Sequence, residues 1–164
     1  MRLTDRGPMR VVALGIGLLL IALAIVEALG GQARGEPEPP WAPYLRSMDD
    51  ALAAEDARAA DWLLRQAHWM ALGSRRWEGM LEVGDAARRA GNVNAARTAY
   101  LTAAYRARRV RSFEGILGAA EGFAALGDRE MAEQWLGVAT ELAHPSESAL
   151  ARVRAVADHL TTVP

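Results

Sequence analysis

WEGMLEVGDAARRAGN, residues 77–92, returns as FEGILGAAEGFAALGD at residues 113–128. The offset of 36 positions keeps an aromatic, a Glu-Gly pair, an apolar pair and a Gly-Asn or Gly-Asp turn in register. Working outward, Trp41 extends the aromatic column, and two small-residue columns, Ala60/Ala96/Ala132 and Ala67/Ala103/Ala139, share the same register. A period of this size marks one supersecondary unit used repeatedly. Between the turns, apolar residues recur at three and four positions among Ala, Leu, Arg, Glu and Met, which predicts helix and almost no strand. Gly73-Ser74, Gly91-Asn92, Gly127-Asp128 and His144-Pro145-Ser146 read as helix ends. The fold class is therefore all-α: three helical hairpins over residues 44–164, closed by a C-terminal helix that starts at Ser146. That helix carries Leu150, Val153, Val156 and Leu160 at helical spacing and caps a face that has no successor.

Upstream of the repeats, Val11 to Val26 holds no charged or strongly polar residue, and the stretch continues through Glu27 to Gly30. Residues 11–30 span about 30 Å as a helix, enough for a hydrocarbon core. Arg2, Arg6 and Arg10 precede the run, whereas Arg34 follows beside Glu36 and Glu38. This bias orients residues 1–10 to the cytoplasm and the rest of the chain outward. Two readings of the run remain open: a retained transmembrane anchor, or a cleaved secretory signal ending near Gly31-Gln32-Ala33. Residues 31–43, rich in Pro and Gly, read as a linker.

Composition narrows the chemistry. The net charge is −1, without the basic footprint of a nucleic-acid binder. There is no cysteine, hence no disulfide or thiolate, and all 19 basic residues are arginine. His68, His144 and His159 are scattered, and no metal-binding, nucleophile-elbow or phosphate-loop pattern occurs. A non-enzymatic chain with no cofactor, metal or small-molecule substrate is expected.

The repeat resembles the tetratricopeptide family, which places a small residue twelve before a packed Ala and a Gly-Asp or Gly-Asn turn shortly before that Ala. A large residue follows at four and another small one at seven. Gly84, Gly91-Asn92, Ala96, Tyr100 and Ala103 match, as do Ala120, Gly127-Asp128, Ala132, Leu136 and Ala139, with Pro145 closing. The first repeat matches less well, with Met48, Glu55-Asp56, Ala60, Leu64 and Ala67. The 36-residue spacing exceeds the family's usual length, which places extra residues in the turns near Gly73–Arg76 and Arg109–Ser112.

The resemblance implies an α-solenoid whose first helices line a concave groove. It nominates Leu45, Asp49, Glu78, Leu81, Asp85, Arg88, Glu114, Leu117 and Glu121 as the groove, mostly acidic over an apolar floor. Such a surface suits a protein segment with basic and apolar side chains; the plain alternative is a solvated acidic face. Arg106, Arg108, Arg109 and Arg111, with Arg75 and Arg76, form a second candidate surface for lipid phosphates or an acidic partner. A solvated arginine-rich turn is the simpler account. Trp62, Trp69 and Trp135 are expected in the core or between repeats.

The implied function is an adaptor or assembly scaffold for protein partners in a membrane complex. It would be held by one helix in a bacterial inner membrane, with the repeats extracytoplasmic in the cell envelope. A constitutive accessory subunit of such a complex, or a secreted soluble binding protein after signal cleavage, are the other readings.

Overall fold

The computed structural model describes residues 37–162. The chain divides into two units, Met1–Glu38 and Pro39–Pro164, and all helices below belong to the second. The expected cytoplasmic segment 1–10, the run 11–30 and most of the linker lie outside the described residues. Among the described residues no helix is long and apolar enough to cross a membrane.

Seven helices and no strand make up the described region: α1 Ala42–Ala53, α2 Ala57–Ser74, α3 Trp77–Arg89, α4 Val93–Arg109, α5 Phe113–Ala125, α6 Arg129–Ala143 and α7 Glu147–Thr162. Each helix packs on the next, most tightly within the pairs α1/α2, α3/α4 and α5/α6. The first helices of successive pairs also touch, α1 on α3 and α3 on α5, and α7 continues that row against α5. The three predicted hairpins and the closing helix are thus present in the predicted order.

One turn design closes every hairpin. Asp56, Asn92 and Asp128 accept hydrogen bonds on their side chains from the N–H groups of Ala59, Ala95 and Met131, capping α2, α4 and α6. The residue before each cap adopts left-handed φ: Glu55 at 57°, Gly91 at 71° and Gly127 at 73°. The cap's own N–H then reaches back to Ala51, Ala87 or Phe123 at 2.8–3.0 Å, satisfying a carbonyl that the preceding helix leaves open. The first repeat adopts this geometry although Glu55 stands where the others have glycine.

Three boundaries differ from expectation. Gly73 and Ser74 are the last residues of α2, and the link to α3 is only Arg75–Arg76. The link from α4 to α5 is likewise short, Val110–Ser112, while α2 and α4 run to 18 and 17 residues against 13 for α3 and α5. The additional length therefore lies in the second helices, where each further residue makes a backbone hydrogen bond, rather than in the turns. Third, the folded unit begins before Tyr44. Trp41 caps α1 from a buried position and donates its indole N–H to Glu82 at 2.8 Å.

The core is rich in alanine, and its fully enclosed aromatics are Trp41, Tyr100, Phe123 and Trp135. The columns Ala60/Ala96/Ala132 and Ala67/Ala103/Ala139 are buried throughout, which lets helix backbones approach closely. The aromatic column works between repeats. A Cβ on Gly79 would lie 2.9 Å from the Trp41 ring, and one on Gly115 would lie 2.7 Å from Trp77. The leading aromatics of the first two repeats are therefore each seated on the next repeat's glycine. Tyr100 is held the same way, with Gly84 and Gly122 each leaving room for its ring. Trp135 is buried as expected, with Tyr105 edge-on at 5.4 Å. Trp62 and Trp69 are not: both lie on the side of α2 opposite its buried stripe of Ala60, Leu64, Ala67 and Ala71, and are exposed.

Candidate functional site

The row of first helices, extended by α7, borders a trough with two adjoining cavities. One, of about 370 Å³, is lined by Leu81, Asp85 and Arg88 of α3 and by Gly118, Glu121, Gly122 and Ala125 of α5. The other, of about 350 Å³, is lined by Glu121, Ala124 and Ala125 of α5 with Arg152, Ala155, Val156 and His159 of α7. Glu121 and Ala125 belong to both, so α5 forms the shared floor. The small residues at its surface keep that floor low, since a Cβ on Gly122 would meet Tyr100 and one on Gly118 would meet Leu81.

Of the nine nominated groove residues, Leu81, Asp85, Arg88 and Glu121 line this trough. Leu45 and Leu117 do not, because both are buried in the core. The acidic character expected of the groove is largely cancelled by the chain's own donors. Asp49 receives a forked interaction from Arg89 at 3.0–3.2 Å. Glu114 receives both guanidinium nitrogens of Arg152 at 2.6 and 2.7 Å, and Glu78 pairs with Arg76 at 3.3 Å. Asp85 accepts the Tyr100 hydroxyl at 2.7 Å. The result is a charge-balanced trough with apolar stretches, not an acidic one. The Arg76–Glu78 pair is local, but Arg89 comes from one repeat further on and Arg152 from α7, so long side chains neutralise acids that local spacing leaves alone.

Titration follows these contacts. The Arg152 hydrogen bonds hold the Glu114 carboxyl below its usual value, and Glu114 raises Arg152 in return. Burial pushes Glu121 up, only partly offset by Arg152, with Glu114 and Asp85 adding repulsion. Burial and the hydrogen bond to Asp85 push the Tyr100 phenol up, so it remains a neutral donor. Glu121 is thus a groove carboxylate whose charge the surrounding chain opposes more than it supports.

Helix α7 contributes more than a cap. Val153 and Leu160 bury against the last repeat, and Arg152 sits over the Phe113 ring at 5.3 Å. Its wall residues Arg152, Val156 and His159 were not nominated, since α7 lies beyond the period that identified the groove. The apolar spacing of α7 includes Val156 but carries no sign of Arg152 or His159 beside it.

The arginine surface splits in two. Arg106 donates to the carbonyls of Ala71, Leu72 and Arg76 at 2.9–3.0 Å, so it closes the C-terminal end of α2. Arg108, Arg109 and Arg111 are exposed and enter no ion pair among the described residues. Among the described residues no cluster of three or more His, Asp or Glu is placed to hold a metal ion. Comparison with protein-family models finds no match to this chain, and comparison with curated proteins finds none either.

Proposed function

We propose that this chain is a non-enzymatic interaction scaffold of tetratricopeptide type, anchored in a membrane by residues 11–30, whose trough receives a segment of a partner protein. The observation that carries the reading is the continuity of the two cavities across α3, α5 and α7, with Glu121 and Ala125 common to both. A trough of this extent fits several consecutive side chains of an extended or helical segment. Its small-residue floor allows close approach, and its balanced rim selects by pattern of charge rather than by net charge. The hairpin turns support the family reading: the same left-handed residue and Asx cap recur at positions 55–56, 91–92 and 127–128.

The test is copurification from native membranes after mild detergent extraction. Ala125→Glu places a bulky charge on the trough floor, whereas Glu141→Arg changes the exposed surface of α6. A partner that is lost with Ala125→Glu and retained with Glu141→Arg, at unchanged unfolding temperature, supports the trough. Equal recovery in both variants overturns it. A partner that stays at fixed stoichiometry through solubilisation is expected of an accessory subunit, and one that dissociates is expected of an adaptor.

A further inference from the structure

Two surface features that the trough leaves unused adjoin one another on the second helices. The first is aromatic. Trp62 and Trp69 are 52% and 64% exposed and stand on the side of α2 opposite Ala60, Leu64, Ala67 and Ala71. Seven residues of helical rise separate them by about 10 Å along one ridge.

The second feature is basic. A cavity of about 430 Å³ at the corner of α2 and α4 is lined by Leu72, Arg75, Arg106, Arg109 and Val110, with no carboxylate in its wall. Arg75 and Arg109 make no ion pair among the described residues. Elsewhere Arg65, Arg76, Arg89, Arg97, Arg129 and Arg152 all find acids. Arg106 spends three of its five N–H groups on carbonyls, which fixes the guanidinium in place and leaves two donors over. The two features are continuous. Leu72, which lines the cavity and whose carbonyl accepts from Arg106, follows Trp69 by one turn, and the His68 ring stands edge-on to Trp69 at 6.4 Å.

We propose that this surface docks on an anionic phospholipid bilayer, with headgroup phosphates entering the Arg75/Arg106/Arg109 cavity and Trp62 and Trp69 lying in the interfacial layer. Guanidinium forks match phosphate oxygens. Tryptophan, apolar with one N–H donor, is the side chain most at home at the boundary between headgroups and hydrocarbon. A cluster of basic residues beside inserting aromatics combines the two attractions that hold peripheral surfaces to charged membranes. The bilayer is preferred over other occupants because of what precedes the helices. The apolar run Val11–Val26 is joined to α1, the hairpin partner of α2, by the stretch 27–41, which reaches no more than about 55 Å even fully extended. A bilayer holding the run is thus always within reach of this surface; the inference rests to that extent on the anchor reading above.

The test uses the full chain reconstituted into vesicles of phosphatidylcholine brominated on its acyl chains, with and without added phosphatidylglycerol. The readout is bromine quenching of tryptophan emission. Quenching is expected to rise several-fold with phosphatidylglycerol, to be mostly lost in Trp62→Phe/Trp69→Phe, and to fall back to the phosphatidylcholine level in Arg75→Gln/Arg109→Gln. A chain retained by the vesicles whose quenching is the same in native and aromatic variants overturns this inference alone. A chain that the vesicles do not retain overturns the anchor reading with it. Self-association that disappears in the aromatic variant while quenching is absent overturns the inference in favour of a second copy as occupant. Soluble glycerophosphate bound through Arg75 and Arg109, with the tryptophans unquenched by anionic vesicles, overturns it in favour of a free phosphate ester.

Discussion

Tyr100 shows how much a single side chain organises here. Its ring lies between Gly84 of its own repeat and Gly122 of the next, and its hydroxyl emerges to bond Asp85 at the trough. A Cβ added at Gly122 would stand 2.5 Å from that ring, so Gly122→Ala is expected to cost about 1–3 kcal/mol through overpacking. Gly137 lies in α6 with nothing within 4 Å of where its Cβ would be. Gly137→Ala is therefore expected to stabilise by about 0.5–1 kcal/mol, and chemical denaturation of the two variants side by side reads the opposite signs. Glu121 makes a prediction in pH. Its carboxyl is raised in the folded chain, so ionisation opposes folding, and this cost appears as pH rises through the ordinary carboxylate range. Glu121→Gln should raise the unfolding temperature at neutral pH, by an equivalent of less than about 1 kcal/mol after solvent screening. The gain should vanish once acidification protonates Glu121 in both states; a gain that persists in acid contradicts the burial account.

At the scale of the element, the turns carry the pattern. Positions 55, 91 and 127 share left-handed φ, and only the first is occupied by a residue with a side chain. Glu55→Gly is expected to stabilise by about 1 kcal/mol by relieving that backbone, with no change in binding at the trough, as a thermal shift and a copurification assay would show together. The turns were legible in the sequence because Asp56, Asn92 and Asp128 fall in one register, although their side-chain capping of the following helices was not read from it. The left-handed glutamate was not, since nothing local to Glu55 signals such a conformation and only the neighbouring repeats imply it. The lengths of α2 and α4 escaped for a related reason. Glycine at position 73 reads as a stop, yet Gly73 is exposed with nothing near it, and the helix runs through it to Ser74. The two exposed tryptophans lie on the same helix. Aromatic identity argues for burial, but the register set by Ala60, Ala67 and Ala71 decides which side faces inward.

Taken whole, the array is a row of first helices with α7 as its last member. The order of hairpins and the alanine columns were readable from periodicity, because close helix packing requires small residues at fixed intervals. The charge balance of the trough was not readable, because Arg89 and Arg152 pair with Asp49 and Glu114 across repeats. Deleting residues 147–164 is expected to expose the apolar side of α5 and α6, lower the unfolding temperature, increase binding of a hydrophobic dye and abolish partner recovery. Normal partner recovery by a folded truncated chain would remove α7 from the binding surface.

Phe113 is the leading aromatic of the last hairpin, and it lies against Arg152 of α7 rather than on a glycine as Trp41 and Trp77 do. The last hairpin is thus covered by a guanidinium over its ring where the earlier two are covered by the next repeat's glycine against theirs. On the last hairpin α7 occupies the place that a following first helix holds on the other two, packed on both α5 and α6. Arg152 thereby serves two surfaces at once, closing over the last aromatic ring and walling the trough beside His159.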